Sequence, residues 1–188
     1  MARVAPLEAP FTPDVAAQLA SMMPPGTPPI GLFRTFAKNL PMTAAMSHWG
    51  RYELGRQLSL TLREREIVIV RTCARCGCEY EWGVHLLIFG RKAGLTGDEV
   101  ASLTAGSADD ACWATPRERV LIRVADALHD SSDVADDLWE TAREVLTEPE
   151  ILDLLLLCGW YHAISFAARA TRVEPEPGAP RFADTVGG

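Results

Sequence analysis

Four times along the chain a threonine stands three residues ahead of a glutamate at the head of an apolar stretch: Thr61/Glu64, Thr96/Glu99, Thr115/Glu118 and Thr147/Glu150. In this pairing the threonine hydroxyl accepts from the backbone N–H three residues on. The carboxylate reaches back to the threonine N–H, so two donors that a helix start leaves open are satisfied. The four boxes predict helices starting near 62, 97, 116 and 148, with Pro116 at the first helical position of the third. Gly77 and Gly94 stand where helix C-terminal caps belong.

Other signals extend the helical pattern. Thr12 followed by Pro13 opens a helix ending near Met23, and four prolines within 24–29 make a stiff linker. Ile30–Lys38 reads as a short helix, and Pro41 to about Leu58 as another, with Ala45, Trp49 and Leu54 on one flank. Ser131-Ser132-Asp133 predicts a further start near Asp133, ahead of Val134, Leu138 and Val145. The run Ile67-Val68-Ile69-Val70 has strand character, but it follows a capping box and precedes Gly77, which makes it the core of a helix. The last helix, about 148–171, is apolar nearly all round, as in the centre of a bundle or an oligomer contact. The expected architecture is an all-α helical bundle with a single domain. Residues 1–29 form an N-terminal helix and linker, 30–174 the helical domain, and 175–188 an extended tail packed on a surface or a neighbouring subunit.

Composition narrows the function classes. With 188 residues, 48% apolar and 23% charged, the chain can bury an ordinary core without a disulfide or metal. A net charge of −7, with no basic face, argues against nucleic acid as a partner. The longest apolar run, Leu154–Tyr161, falls short of the ~20 residues of a membrane span. The N-terminus shows no basic segment followed by an apolar one, so the expected location is cytoplasmic. Five cysteines, three of them within Cys73–Cys78, point to redox, catalytic or metal chemistry rather than a disulfide framework.

That cluster leads into the most informative stretch, Cys73-Ala-Arg-Cys76-Gly-Cys78-Glu79-Tyr80-Glu81-Trp82-Gly83-Val84-His85. If Gly77 ends one helix and Cys78 opens the next, then at about 100° per residue Cys78, Glu81 and His85 share a face. Glu81 and His85 form an i, i+4 pair within hydrogen-bonding reach. A cysteine in a first helical turn sees unpaired N–H groups, which favour thiolate, and an imidazole beside a carboxylate can move protons at neutral pH. A second arrangement of the same residues is a Cys₃His zinc set of Cys73, Cys76, Cys78 and His85, but the thiols straddle a helix end and no second Cys-x2-Cys is present. No metal or other cofactor is therefore expected. Cys112 and Cys158 read as buried thiols, and His48, His129 and His162 show no evident partners.

At these residues the chain resembles the carboxymuconolactone decarboxylase and alkyl hydroperoxidase D (AhpD-like) superfamily. The likeness covers roughly 30–178. It rests on Arg-Glu-Arg-Glu-Ile-Val-Ile-Val at 63–70, Gly-Cys-x2-Glu-x3-His at 77–85, Ala-Gly-Leu-Thr-x2-Glu-Val at 93–100, and Gly-Trp-Tyr followed by Val-Glu-Pro-Glu-Pro-Gly-Ala. The resemblance implies an all-α, AhpD-like fold that assembles as a dimer, trimer or hexamer. It places Glu66, Cys78 and His85 at the glutamate, first-cysteine and histidine positions of the peroxidase members, with Glu81 where those members have a second cysteine. Glu81 with His85 resembles the decarboxylase branch instead.

The leading expectation is cofactor-free acid–base chemistry, of the decarboxylation or isomerisation type, on a small carboxylate or lactone. Glu66, Cys78, Glu81 and His85 are the candidate catalytic residues, and Arg71, Tyr80 and Trp82 are candidates for substrate contact. Arg75 is another source of positive charge. The alternative is a thiol peroxidase using Cys78, with Cys76 or Cys73 as resolving thiol. A third class is a non-enzymatic oligomeric or binding protein. The expected partners are a small molecule and further copies of the chain, with no membrane.

Overall fold

The computed structural model describes residues 1–185. Among them it contains nine α-helices and no strand: α1 (Pro13–Met22), α2 (Gly31–Phe36), α3 (Leu40–Glu53), α4 (Leu62–Arg75), α5 (Glu79–His85), α6 (Gly97–Ala105), α7 (Pro116–Ser131), α8 (Asp136–Val145) and α9 (Glu148–Thr171). A π-helical turn, Leu86–Gly90, continues α5, and a 3-10 turn, Phe182–Thr185, ends the described chain.

The capping boxes set four helix starts to the residue. At Thr61 and Thr96 the hydroxyl accepts from the glutamate N–H and the carboxylate accepts in return from the threonine N–H. At Thr147 the Glu150 carboxylate accepts from the backbone N–H at 2.8 Å. At Thr115 the hydroxyl accepts from Glu118 N–H and donates to Glu118 Oε2 at 3.0 Å in place of the backbone half of the box, while Oε1 accepts from Arg63 at 2.7 Å. Gly77 and Gly94 close their helices with φ of +63° and +68°, a region where a side chain would be strained.

Two boundaries differ from the sequence expectation. Helix α3 stops at Glu53, because the loop after it is held elsewhere: Asp153 on α9 accepts from Ser59 N–H at 2.7 Å, Ser59 Oγ at 2.6 Å and Tyr52 OH at 2.6 Å. Helix α8 starts at Asp136 rather than near Asp133. Ser132 takes a left-handed conformation, φ +59°, that terminates α7, and Asp133 caps the N–H of Val134. The polar triplet therefore serves the exit of one helix instead of the start of the next.

Helix α4 is the centre of the bundle, packed by α5, α6, α7 and α9. Ile67, Val68, Ile69 and Val70 are wholly buried, which explains how a β-branched run remains helical. Each such side chain withdrawn from water contributes about 1.5–3 kcal/mol, enough to override a weak propensity penalty. Helix α9 is long and apolar enough to cross a membrane by length and composition, yet 56% of its most apolar window is buried inside the protein. It is a core helix of the bundle, with Leu154 and Leu157 inside and Leu152, Leu156 and Phe166 exposed.

The tail lies on its own chain. Glu176 accepts from Gly31 N–H and Tyr80 OH, both at 2.5 Å, and Phe182 N–H donates to Glu79 at 2.8 Å. Residues 186–188 of the expected tail lie outside the described residues.

Candidate active site

Helices α4, α5 and α9 converge on one imidazole. His85, in the last turn of α5, turns its Nδ1 to Glu66 Oε2 on α4 at 2.7 Å. Its Nε2 meets the hydroxyl of Tyr161 on α9 at 2.9 Å. The other Glu66 oxygen, Oε1, accepts from Arg65 Nε at 2.8 Å, and Arg65 Nη2 stands 2.7 Å from it. Phe89 floors the group, with the Arg65 guanidinium 4.9 Å from its ring centroid and the His85 ring at 5.5 Å. The whole array is dry: Glu66 is 0% exposed, Tyr161 2%, His85 4% and Glu81 5%.

Charge state follows from these contacts. A carboxylate can only accept, so the Glu66 contact places a hydrogen on His85 Nδ1. In the neutral ring this leaves the Nε2 lone pair facing Tyr161, whose hydroxyl donates to it. Burial opposes ionisation of Glu66, but His85 and Arg65 together outweigh it and hold this carboxyl below its usual range. Glu81 experiences the reverse: full burial pushes its carboxyl up, His85 offsets part of that, and Glu176 adds to it. Two carboxyl groups therefore flank one imidazole with their proton affinities shifted in opposite directions. Burial also raises Tyr161 well above its ordinary value, so its phenol stays protonated.

Several expectations change here. Glu81 Oε2 is 3.8 Å from His85 Nε2, too far for the expected hydrogen bond, so the two interact through charge alone. Cys78 is the N-cap residue of α5, as its position after Gly77 implies, but the side chain is wholly buried. That burial outweighs the Glu81 N–H and pushes the thiol up to about 11, so the resting group is a thiol rather than the expected thiolate. Cys73 is likewise raised by complete burial. The Ser165 hydroxyl, buried without a regular hydrogen-bond partner, faces Cys73, Cys76 and Cys78 and slightly favours their ionisation.

Four candidates are committed elsewhere. Arg71 forms a bidentate pair with Asp126, at 2.6 and 2.8 Å, and donates to the carbonyls of Ser102 and Leu103. Arg75 is paired with Asp126 and Asp130. Tyr80 is bound to Glu176 and to Leu32 N–H, tying the tail to α2, and Trp82 is fully buried with its Nε1 donating to Thr104 at 3.1 Å. The positive charge at the site belongs to Arg65. Sequence reasoning passed over both Arg65 and Tyr161. The first was legible only as the neighbour of Glu66, and the second needs α9 to be laid against α5. The Cys₃His set does not assemble, since both His85 nitrogens are engaged by Glu66 and Tyr161.

Comparison with known proteins places this fold. Residues 42–127 match the model of the carboxymuconolactone decarboxylase family. No curated protein sequence matches the chain. Among solved structures, an uncharacterized peroxidase-related protein from Silicibacter sp. TM1040 superposes with TM-score 0.79 at 17% identity, covering 94% of this chain and 93% of that one. A peroxidase-related protein from Ralstonia eutropha JMP134, described as an alkylhydroperoxidase AhpD core, gives 0.75 at 18% identity, covering 93% of each chain. The debrominase Bmp8 gives 0.76 at 14% identity, covering 97% of this chain and 95% of that one. Residues 42–127 thus match the carboxymuconolactone decarboxylase family, and the fold of nearly the whole chain is that of the AhpD-like structures.

Proposed function

We propose that the protein is an enzyme that moves protons at His85 on a small carboxylate or lactone, in a decarboxylation or isomerisation type of reaction. The observation that carries this reading is the opposed pair of carboxyl groups around one imidazole. Glu66, held ionised, accepts from His85 Nδ1 and stabilises the imidazolium that forms when Nε2 takes a proton. Glu81, held towards its protonated form, supplies the complementary acid on the Nε2 side. Tyr161 OH holds the lone pair at Nε2 and is the donor that a substrate oxygen would replace. Chemistry in so dry a setting gains from fixed dipoles and charges, and general acid–base catalysis of this kind contributes about 10²–10⁴-fold.

A second reading, a thiol peroxidase, is supported by three cysteines around Ser165 and by the peroxidase-related structures. In it the Cys78 sulfur attacks the peroxide O–O bond, giving a sulfenic acid and releasing the alcohol, and Cys76 or Cys73 displaces water to form a disulfide. The buried, protonated Cys78 weighs against this route. The exposed stripe of Leu152, Leu156 and Phe166 on α9 supports a homo-oligomer, and a cytoplasmic location completes the proposal.

Turnover of a panel of small lactones and keto acids, in deuterated water, tests the reading. His85→Asn is expected to lower kcat by about 10²–10⁴-fold, while Cys78→Ser keeps most of it and deuterium enters the product. Loss of all activity in Cys78→Ser, with sulfenic acid trapped at Cys78 under micromolar peroxide, transfers the assignment to the peroxidase.

A further inference from the structure

The two histidines without evident sequence partners, His129 and His162, meet each other and a cysteine. His129 Nδ1 on α7 lies 3.8 Å from Cys76 Sγ, at the C-terminal cap of α4, and 3.1 Å from His162 Nε2 on α9. The three ligand-capable atoms all fall within 4.8 Å of one another. We propose that Cys76, His129 and His162 form a binding site for a divalent cation of the zinc class, separate from the Glu66–His85–Tyr161 array.

Two of the three edges between ligand atoms fit a zinc site as they stand, and the third lies within 4.8 Å. In a tetrahedral zinc site with Zn–S near 2.3 Å and Zn–N near 2.05 Å, the S···N edge is about 3.6 Å and the N···N edge about 3.3 Å. The observed contacts, 3.8 and 3.1 Å, differ from these by a few tenths of an ångström. Orientation agrees as well. His162 Nδ1 is 2.8 Å from the Cys158 carbonyl, which can only accept, so the hydrogen is on Nδ1 and the Nε2 lone pair faces the cluster. This is the outer-sphere bond to a backbone carbonyl that ligating imidazoles typically make. Without a cation His129 Nδ1–H donates to that lone pair. With one, His129 carries its hydrogen on Nε2, and Cys76 gives its proton to solvent and binds as thiolate.

The chemical class follows from the donors. One sulfur and two imidazole nitrogens suit a borderline cation such as Zn²⁺ rather than Mg²⁺ or Ca²⁺, which prefer oxygen. Both histidines are partly exposed, so a fourth, solvent-supplied ligand has access. Arg169 is held against the Cys76 carbonyl at 2.5 Å, and Arg75 is neutralised by Asp126 and Asp130. The site would pin together the C-terminal ends of α4 and α7 and the middle of α9.

The test is titration of chelator-stripped, reduced protein with Co²⁺, followed by Zn²⁺ competition. The expected result is one Co²⁺ per chain, with visible d–d bands and a near-ultraviolet thiolate-to-cobalt band that Zn²⁺ abolishes. Excess Zn²⁺, at about 100 times its Kd, should raise the thermal midpoint by roughly 5–10 °C. Cys76→Ser should remove the charge-transfer band, and His129→Asn or His162→Gln should weaken binding more than 10-fold. Cys78→Ser should leave both spectrum and affinity unchanged. Circular dichroism of each variant separates lost binding from lost folding, and Cys76→Ala with His162→Gln provides a second route if His129→Asn does not fold. Absence of the spectrum in wild type, equal affinity in the Cys76 and histidine variants, or loss of the band in Cys78→Ser overturns the proposal.

Discussion

Replacing Glu66 by glutamine keeps the shape of the side chain and removes its charge. In the native protein the carboxylate is wholly buried and serves three donors: His85 Nδ1 at 2.7 Å, Arg65 Nε at 2.8 Å and Arg65 Nη2 at 2.7 Å. A glutamine oxygen can serve one side of that arrangement, but the NH₂ then faces another donor. At least one charge-assisted bond is lost, about 1.5–3 kcal/mol. Arg65 is left buried with the Leu54 carbonyl, 3.1 Å away, as its remaining protein acceptor. Breaking a buried pair from one side costs about 3–5 kcal/mol. The two effects overlap, so Glu66→Gln should lose about 3–5 kcal/mol in all. Its pH dependence is equally specific. Because His85 and Arg65 outweigh burial and lower the native pKa of Glu66, its contribution is complete above the ordinary value of 4.5 and is lost as pH falls through the lower native value. Urea unfolding followed by far-ultraviolet circular dichroism, at pH 7 and in steps down to pH 3, should show a lower midpoint for the variant at pH 7. The gap should narrow on acidification. Equal midpoints at pH 7, or parallel curves throughout, would refute the reasoning.

Tyr161→Phe removes the donor at His85 Nε2 and should cost about 0.5–1.5 kcal/mol in unfolding free energy. A kcat loss in that variant, with KM little changed, would identify the hydroxyl as part of the reaction rather than of packing. Cys78, raised to about 11 by burial, should alkylate about 100-fold more slowly at pH 7.5 than a thiol at the ordinary 9.0. Its rate should climb tenfold per pH unit up to about pH 10, and fast labelling at neutral pH would contradict the buried-thiol assignment. Arg117→Ala releases the carboxylates of Glu64 and Glu150 and the Val145 carbonyl, and should cost about 1–3 kcal/mol by thermal unfolding. Arg117 holds Glu150 at about 2, so its stabilisation is present above 4.5 and disappears as pH falls towards 2. The variant should therefore be less sensitive than wild type across that range.

Local chemistry was the part of the fold that the sequence disclosed. Thr61, Thr96, Thr115 and Thr147 mark their helices because capping is settled within four residues. The start of α8 was misplaced because Ser132 could as well finish a helix as begin one, and a left-handed residue is not marked in the letters. At the site, the Glu66–His85 contact joins two helices separated by one turn, and both residues are ones that the resemblance singles out. Tyr161 and His162 lie more than 70 residues downstream of His85 and depend on which face of α9 turns inward. A helix apolar nearly all round does not reveal that face. The state of Cys78 was misjudged for a related reason, since the helix-start effect on a thiol is smaller than the penalty of complete burial, and burial is a tertiary property.

One proton decides the chemistry of the site: it resides on His85 Nδ1, held by Glu66, and leaves the Nε2 lone pair to Tyr161 OH and, in turnover, to the substrate. Long-range nitrogen–proton correlation spectra of ¹⁵N-histidine-labelled protein read this tautomer directly. The expected result is a strongly downfield, slowly exchanging Nδ1–H on His85 and the loss of that proton signal in Glu66→Gln. An Nε2–H tautomer, or an unchanged signal in the variant, would contradict it.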